Sequence, residues 1–314
     1  MATMGQGPSL TRTGFLRLCA GTGAALLAPR FPATGAAPER MLARPIPASG
    51  EALPIVGLGT WQTFDVGGSS RARAPLADVL QALFEHGGTA IDSSPMYGRS
   101  EGVVGDLLAG MDGHRRAFIA TKVWTEGRER GVRQMNDSMR LLRTGRLDLM
   151  QIHNLVDWRT HMASLREWQQ DGRIRYVGIT HYTISAFDSL EQVIAATRPD
   201  FVQFPYSIGV RAAETRLLPL CAERGVAVLV NRPYEAGGLF RKVRRRELPD
   251  WAADFDAASW GQFLLKYILA HPAVTCVIPG TSKAKHVADN AGAGHGRMPD
   301  GAVRRRMIEL VESL

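Results

Sequence analysis

From about residue 54 to the end of the chain, apolar runs with the character of β-strands alternate without a break with segments of helical period. The strand-like runs are PIVGLG, TAIDSS, AFIATKV, LDLMQIH, YVGITH, FVQFPYS, VAVLVNRP and VTCVIPGTS, and a helical pattern follows each. The first of these patterns is PLADVLQALFEHG and the last pair is KAKHVADNAG with AVRRRMIELVESL. Several end at glycine, as at Gly87 and Gly225, the usual C-terminal punctuation of a helix. Strict alternation over this length predicts an α/β protein, a (β/α)8 or TIM barrel, rather than a doubly wound sheet. A dinucleotide-binding doubly wound domain also wants GxGxxG after its first strand. Here the first strand runs Gly57-Leu58-Gly59-Thr60-Trp61, without the third glycine. Before it, ARPIPASGEALP reads as a short N-terminal β-hairpin with Ser49-Gly50 at its turn. The longest irregular stretch, about 236–256, follows the seventh strand, where barrel loops build lids and clasps.

Residues 1–40 differ in character from the 41–314 barrel. Arg12 and Arg17 precede a short apolar stretch, LCAGTGAALLA, and then prolines and small residues. That is the layout of an export leader, too short to span a bilayer. The segment TRTGFLR resembles a twin-arginine signal with Thr13 where the second arginine stands. A working leader implies export, and without one the protein is cytoplasmic. Of the three cysteines, Cys19 lies in this segment, while Cys221 and Cys276 fall in a helix and a strand as core thiols. Neither these nor the eight histidines show metal-ligand spacing, so no metal site is expected. The formal charge of +8 owes much to Arg241, Lys242, Arg244, Arg245 and Arg246. That cluster is either a solvated loop or a seat for an anionic cofactor or polyanion. No nucleic-acid-binding motif accompanies it, and no nucleic-acid partner is expected. No membrane association is expected, and the chain should be a monomer because a closed parallel barrel leaves no free sheet edge.

Four residues stand at or just past strand C-termini: Asp92 ends TAID, Tyr97 lies in the turn of IDSSPMYG, Lys122 ends FIATK and His153 ends LDLMQIH. In a parallel barrel these ends share one face, so the four side chains should converge on a single mouth. A phenol, an ammonium, a carboxylate and an imidazole grouped there can protonate a carbonyl oxygen, which points to carbonyl reduction.

With those positions, GLGTW at 57–61, GRIRYVGIT at 172–180, Gln203 in FVQFPYS, IPGTSK at 278–283 and Asn290 follow one another in order on the expected strands. In this, residues 43–314 resemble the aldo-keto reductases. The resemblance implies a (β/α)8 barrel and NADPH-dependent reduction of an aldehyde or ketone, a small-molecule carbonyl substrate. Tyr97 would be the general acid. A free phenol, with a pKa of about 10, is a weak donor at neutral pH, and a nearby cation lowers it. Lys122 would be that cation, held by Asp92, and His153 would orient the carbonyl oxygen.

The cofactor positions implied are Thr180, His181, Gln203, Asn231, Gly280, Thr281, His286 and Asn290. Several depart from the family pattern. Thr180-His181 stands where Ser-Asn is common against the nicotinamide amide. Asn231 stands where many members place an aromatic ring, so stacking is lost or supplied by Tyr206 or Trp61. Gly280 replaces a lysine, and His286 replaces an arginine that grips the adenosine 2′-phosphate. A neutral imidazole holds phosphate less well than a guanidinium, although Lys283 or Lys285 can compensate. NADPH is therefore the expected cofactor, with NADH possible. Trp61, Phe64, Trp124 and Trp158 should line the substrate pocket, left open by a short C-terminal tail. A cofactor-binding regulatory or sensor barrel with little turnover is the competing reading, resting on the altered cofactor positions.

Overall fold

The structure, a computed structural model, describes residues 40–314, so Cys19 and the leader expected over residues 1–40, all but its last residue, lie outside the described residues. A two-stranded antiparallel hairpin opens it, β1 (Ala43–Pro45) with β2 (Ala52–Pro54). Eight parallel strands follow: β3 (Leu58–Gly59), β4 (Ala90–Asp92), β5 (Phe118–Val123), β6 (Leu147–His153), β7 (Ile174–Thr180), β8 (Phe201–Pro205), β9 (Ala227–Asn231) and β10 (Cys276–Val277). Each pairs with its sequence neighbour. Single bridges from Val56 to Val277 and from Gly59 to Gly280 join the first strand to the last and close the barrel.

The first and last strands are much shorter than their apolar runs suggested, because closure rests on those two bridges. At the second, a Cβ on Gly280 would stand 3.2 Å from the Gly59 carbonyl oxygen, so glycine suits the seam.

The surrounding helices are α1 (Ser70–Glu85), α2 (Ser100–Gly110), α3 (Arg128–Leu141), α4 (Trp158–Gln170), α5 (Phe187–Thr197), α6 (Leu217–Arg224), α7 (Gly238–Lys242), α8 (Trp260–Leu269), α9 (Ala284–Gly292) and α10 (Gly301–Glu312). The first begins five residues before Pro75, where the sequence reading began it. Ser69 accepts a hydrogen bond from the Ala72 amide, and Arg73 reaches both the Gly67 carbonyl and Asp106, so the added turn is held at both ends. The stretch 236–256 is likewise less irregular than expected, since it holds α7 and a 3-10 helix at Asp250–Phe255. Gly225, in the left-handed conformation at φ 65°, ends α6 as anticipated. Among the described residues no helix is long and apolar enough to cross a membrane.

Alternate residues of a strand share a face, and here the two faces have separate cores. Ile119, Met150, Ile152, Val177, Ile179, Val202, Val228 and Val230 pack outward beneath the helices. Inside the barrel lie Ala90, Phe118, Ala120, Leu149, Tyr176, Phe201, Ala227, Leu229, Cys276 and Ile278, with Ile46 and Leu53 of the hairpin region plugging the N-terminal end. Each buried side chain of Phe or Leu size contributes about 1.5–3 kcal/mol. The plug is also latched by polar contacts: Tyr176 donates to Glu51 at 2.7 Å, and Arg175 bridges Glu51 and Asp148. Cys221 and Cys276 are buried free thiols, and burial pushes the Cys221 thiol up to about 12.

Stepping two residues further along the inward faces turns the lining from apolar to polar. Ala90 leads to Asp92, Ala120 to Lys122, Leu149 to Gln151 and His153, Phe201 to Gln203 and Leu229 to Asn231. One end of the barrel is therefore a plug of hydrocarbon and the other a ring of polar groups.

Candidate active site

Lys122 is the centre of that ring. It is fully buried, and its ammonium donates to Asp92 Oδ2 at 2.6 Å and to the Ser93 carbonyl at 2.7 Å. A buried ammonium is tolerable only when paired and hydrogen-bonded. Burial by itself would lower the Lys122 pKa, but Asp92 and Tyr97 outweigh it and hold the group above its ordinary value. The other oxygen of Asp92, Oδ1, accepts from Gln151 Nε2 at 2.9 Å and Gln203 Nε2 at 3.0 Å. Thr60 donates to the Asp92 carbonyl through both its amide and its hydroxyl, which ties the loop after β3 to the end of β4.

Tyr97 stands over this pair, with the Lys122 nitrogen 4.9 Å from its ring centroid. The cation was expected to lower the phenol pKa. The structure gives the opposite net direction: burial, the largest influence, raises it and outweighs the lowering by Lys122. The His153 ring meets Tyr97 edge-on at 5.8 Å between centroids, so all four expected catalytic side chains do converge. Burial first, then the charge of Lys122 and the neighbouring His181, depress the His153 pKa to about 2, and the imidazole is neutral.

Ser94 Oγ lies 3.0 Å from His153 Nδ1 while accepting from the Met96 amide. A hydroxyl oxygen can accept twice, so the tautomer is an assignment: with Ser94 donating to Nδ1, Nε2 carries the hydrogen. Gln151, Ser93, Ser94 and Thr60 were not singled out from the sequence. The signal for Gln151 was its position two residues before His153 on the same face of β6.

The cofactor positions are drawn partly into the same network. Thr180 is buried and donates to Gln203 Oε1 at 3.1 Å, and Asn231 Nδ2 donates to the same oxygen at 3.2 Å. Asn231 Oδ1 is buried and has no donor among the described residues. His181 accepts at Nδ1 from the amide and hydroxyl of Thr183, and burial lowers its pKa. Further round the rim, buried Thr281 contacts His286 Nδ1 at 3.2 Å, and Asn290 accepts from the Tyr234 hydroxyl at 2.7 Å. Burial, then Lys283 and Lys285, depress the His286 pKa, so it is a neutral neighbour to two exposed ammonium groups. Arg241, Lys242, Arg244, Arg245 and Arg246 are all exposed.

Two of the four expected pocket aromatics stand at the rim. Trp61 is 48% exposed just past β3, and Trp124 is 42% exposed with its ring 6.4 Å from His153. The other two are placed differently. Phe64 has no exposed surface and belongs to the outer core, because the turn that returns the chain from Thr60 folds its ring inward. Trp158 heads α4 and lines a separate cleft against Ser189, Gln192, Val193 and Ala196 of α5. Tyr206, considered as a stacking partner for the nicotinamide, is also withdrawn. It is wholly buried, donating to Glu214 at 2.5 Å, accepting from Arg304 at 2.7 Å and packing against Tyr267.

Known proteins show the same barrel and the same chemistry. Residues 55–305 match the model of the aldo/keto reductase family. A methylglyoxal reductase of Escherichia coli, YeaE, is 29% identical over 246 residues, 76% of this chain and 84% of the relative. An NADH-specific methylglyoxal reductase from the same organism is 28% identical, covering 64% of this chain and 69% of its own length. An aldo-keto reductase of Klebsiella pneumoniae, solved with NADPH, superimposes with a TM-score of 0.72 at 25% identity, covering 87% of this chain and 95% of that one. The chain belongs to the aldo/keto reductase family and is an NAD(P)H-dependent carbonyl reductase.

Proposed function

We propose that Tyr97 protonates the carbonyl oxygen of an aldehyde or ketone at the mouth of the barrel, with Lys122 stabilising the phenolate left behind. The observation that carries this is Lys122 itself, an ammonium without exposed surface, fixed by Asp92 and 4.9 Å from the Tyr97 ring centroid. A phenol held above its ordinary pKa keeps its proton at neutral pH and still gives it to an alkoxide, a far stronger base. The Lys122 charge then favours the phenolate more than it favoured the phenol, so its help grows toward the transition state. Neutral His153, with Nε2–H, hydrogen-bonds the same oxygen and aligns it.

A reduced nicotinamide dinucleotide supplies the hydride when bound. The polar groups present fit such a ligand. Asn231 Oδ1 is an unsatisfied acceptor suited to an amide, and Thr281, Lys283 and Lys285 offer a hydroxyl and two cations suited to phosphate. With His286 neutral, the lysines carry the charge for a 2′-phosphate, so NADPH is the first choice and NADH remains open. Exposed Trp61 and Trp124 suit small carbonyls with an apolar or aromatic flank. Methylglyoxal reductases among the relatives make 2-oxoaldehydes the first class to assay. Residues 1–40 act in this reading as a removable leader and the barrel as a monomer, which intact mass and light scattering of the purified protein test.

The deciding experiment follows nicotinamide absorbance with NADPH and NADH against 2-oxoaldehydes and aromatic aldehydes. Tyr97→Phe should cut kcat by about 10²–10⁴-fold while cofactor binding persists. Saturable binding without turnover in the wild type would instead support the sensor barrel.

A further inference from the structure

The Asp92 carboxylate sets the direction of an amide four strands away, across the barrel. Asp92 Oδ1 is an acceptor facing Gln203, so Gln203 must turn Nε2 toward it, as it does at 3.0 Å. A second acceptor, Gln151 Oε1, takes the same amide nitrogen at 3.2 Å. Gln203 Oε1 must then face away, where Thr180 Oγ1 and Asn231 Nδ2 donate to it at 3.1 and 3.2 Å. Asn231 cannot flip without setting its oxygen against another oxygen, and its Nδ2 is also 3.4 Å from the His181 carbonyl. The ion pair with Lys122 fixes Asp92 in turn.

The end of this relay is Asn231 Oδ1, a buried carbonyl oxygen with no donor among the described residues, on a residue partly exposed at the C-terminal end of β9. An unsatisfied buried acceptor costs about 1–3 kcal/mol, and a native structure that retains one has a use for it. Beside it, His181 accepts two hydrogen bonds at Nδ1 and therefore bears its ring hydrogen on Nε2, a donor with no partner among the described residues. One acceptor and one donor on adjoining residues match the two ends of a primary carboxamide.

We propose that Asn231 is a positioning residue that accepts a hydrogen bond from the amide nitrogen of the cofactor's carboxamide, with His181 Nε2–H donating to the amide oxygen. This rests on the reading of the barrel as a nicotinamide-dependent reductase. It replaces stacking against a ring at position 231 with in-plane hydrogen bonds. It also explains why Gln203, whose amide is fully engaged within the relay, is free to act as a strut.

The test measures binding without turnover. Dissociation constants are determined by fluorescence for NADPH and for its 3-acetylpyridine analogue, in which a methyl group replaces the amide nitrogen. Wild type should bind NADPH about 5–10-fold more tightly than the analogue, the factor for about one neutral hydrogen bond. Asn231→Leu should weaken NADPH by a similar factor and bring the ratio close to one. Asn231→Ala carries the same expectation should the leucine variant fail to fold. A ratio unchanged in a folded variant, with NADPH still bound, overturns the inference and leaves the reductase reading standing. Wild type that binds no reduced nicotinamide nucleotide overturns both.

Discussion

Replacing Lys122 with methionine separates the stability of the buried ion pair from its catalytic use. The charges lie 2.6 Å apart and neither side chain is more than 4% exposed. At an effective dielectric of about 20 they attract by about 6 kcal/mol, against which stands the cost of drying both groups. Lys122→Met removes the attraction but leaves Asp92 buried, held only by the neutral donors Gln151 and Gln203. Truncating one partner of such a pair costs about 3–5 kcal/mol, so the urea midpoint should fall by that equivalent. Adding Asp92→Asn removes the stranded charge. The double variant should then be more stable than Lys122→Met alone, leaving a deficit of about 1–3 kcal/mol for an amide proton without a partner. Both variants should lack turnover. Asp92→Asn alone strands the buried ammonium at a similar cost of about 3–5 kcal/mol. Denaturant titrations of the four proteins make a double-mutant cycle, and the expected coupling, the two single losses less the double loss, is about 6 kcal/mol. A strictly additive cycle, or a Lys122→Met loss below about 1 kcal/mol, would refute the picture of a dry pair and with it the argument for phenolate stabilisation.

Three further substitutions test the site by other routes. His153 is held neutral in the fold, with its pKa depressed from 6.5 to about 2, while the unfolded chain protonates it normally. The unfolded state thus binds the extra proton, and this residue costs stability as pH falls below 6.5, by up to about 1.4 kcal/mol per pH unit. His153→Gln should therefore flatten the decline of stability between pH 6.5 and 4, and an unchanged slope in chemical denaturation would contradict a neutral buried imidazole. Phe64→Ala should destabilise by about 3–5 kcal/mol with KM little changed, whereas Trp124→Ala should leave the melting temperature within a few degrees and raise KM for aromatic aldehydes. The reverse pattern would return Phe64 to the pocket.

The sequence by itself determined the architecture and the convergence of the tetrad. Strand and helix periods are local properties, set by which side of each segment is apolar. Eight alternations leave the chain few ways to bury both faces of its strands, so the C-terminal ends must meet. Asp92, Lys122 and His153 were legible because a polar residue ends an otherwise apolar strand, and Tyr97 because it follows one of them in the turn. What the period does not carry is what each group faces across the barrel. Gln151 looked like one more strand residue until β4, β6 and β8 brought it and Gln203 onto one carboxylate oxygen. Phe64 sits in a loop that the sequence set near the catalytic face, but the turn after Thr60 buries its ring in the core, and Trp158 at the start of α4 lines a cleft against α5. The phenol shift shows the same limit. Opposite charge can be anticipated from residue types, whereas the degree of burial that outweighs it is a sum over neighbours distant in sequence, and only the closed barrel defines that sum.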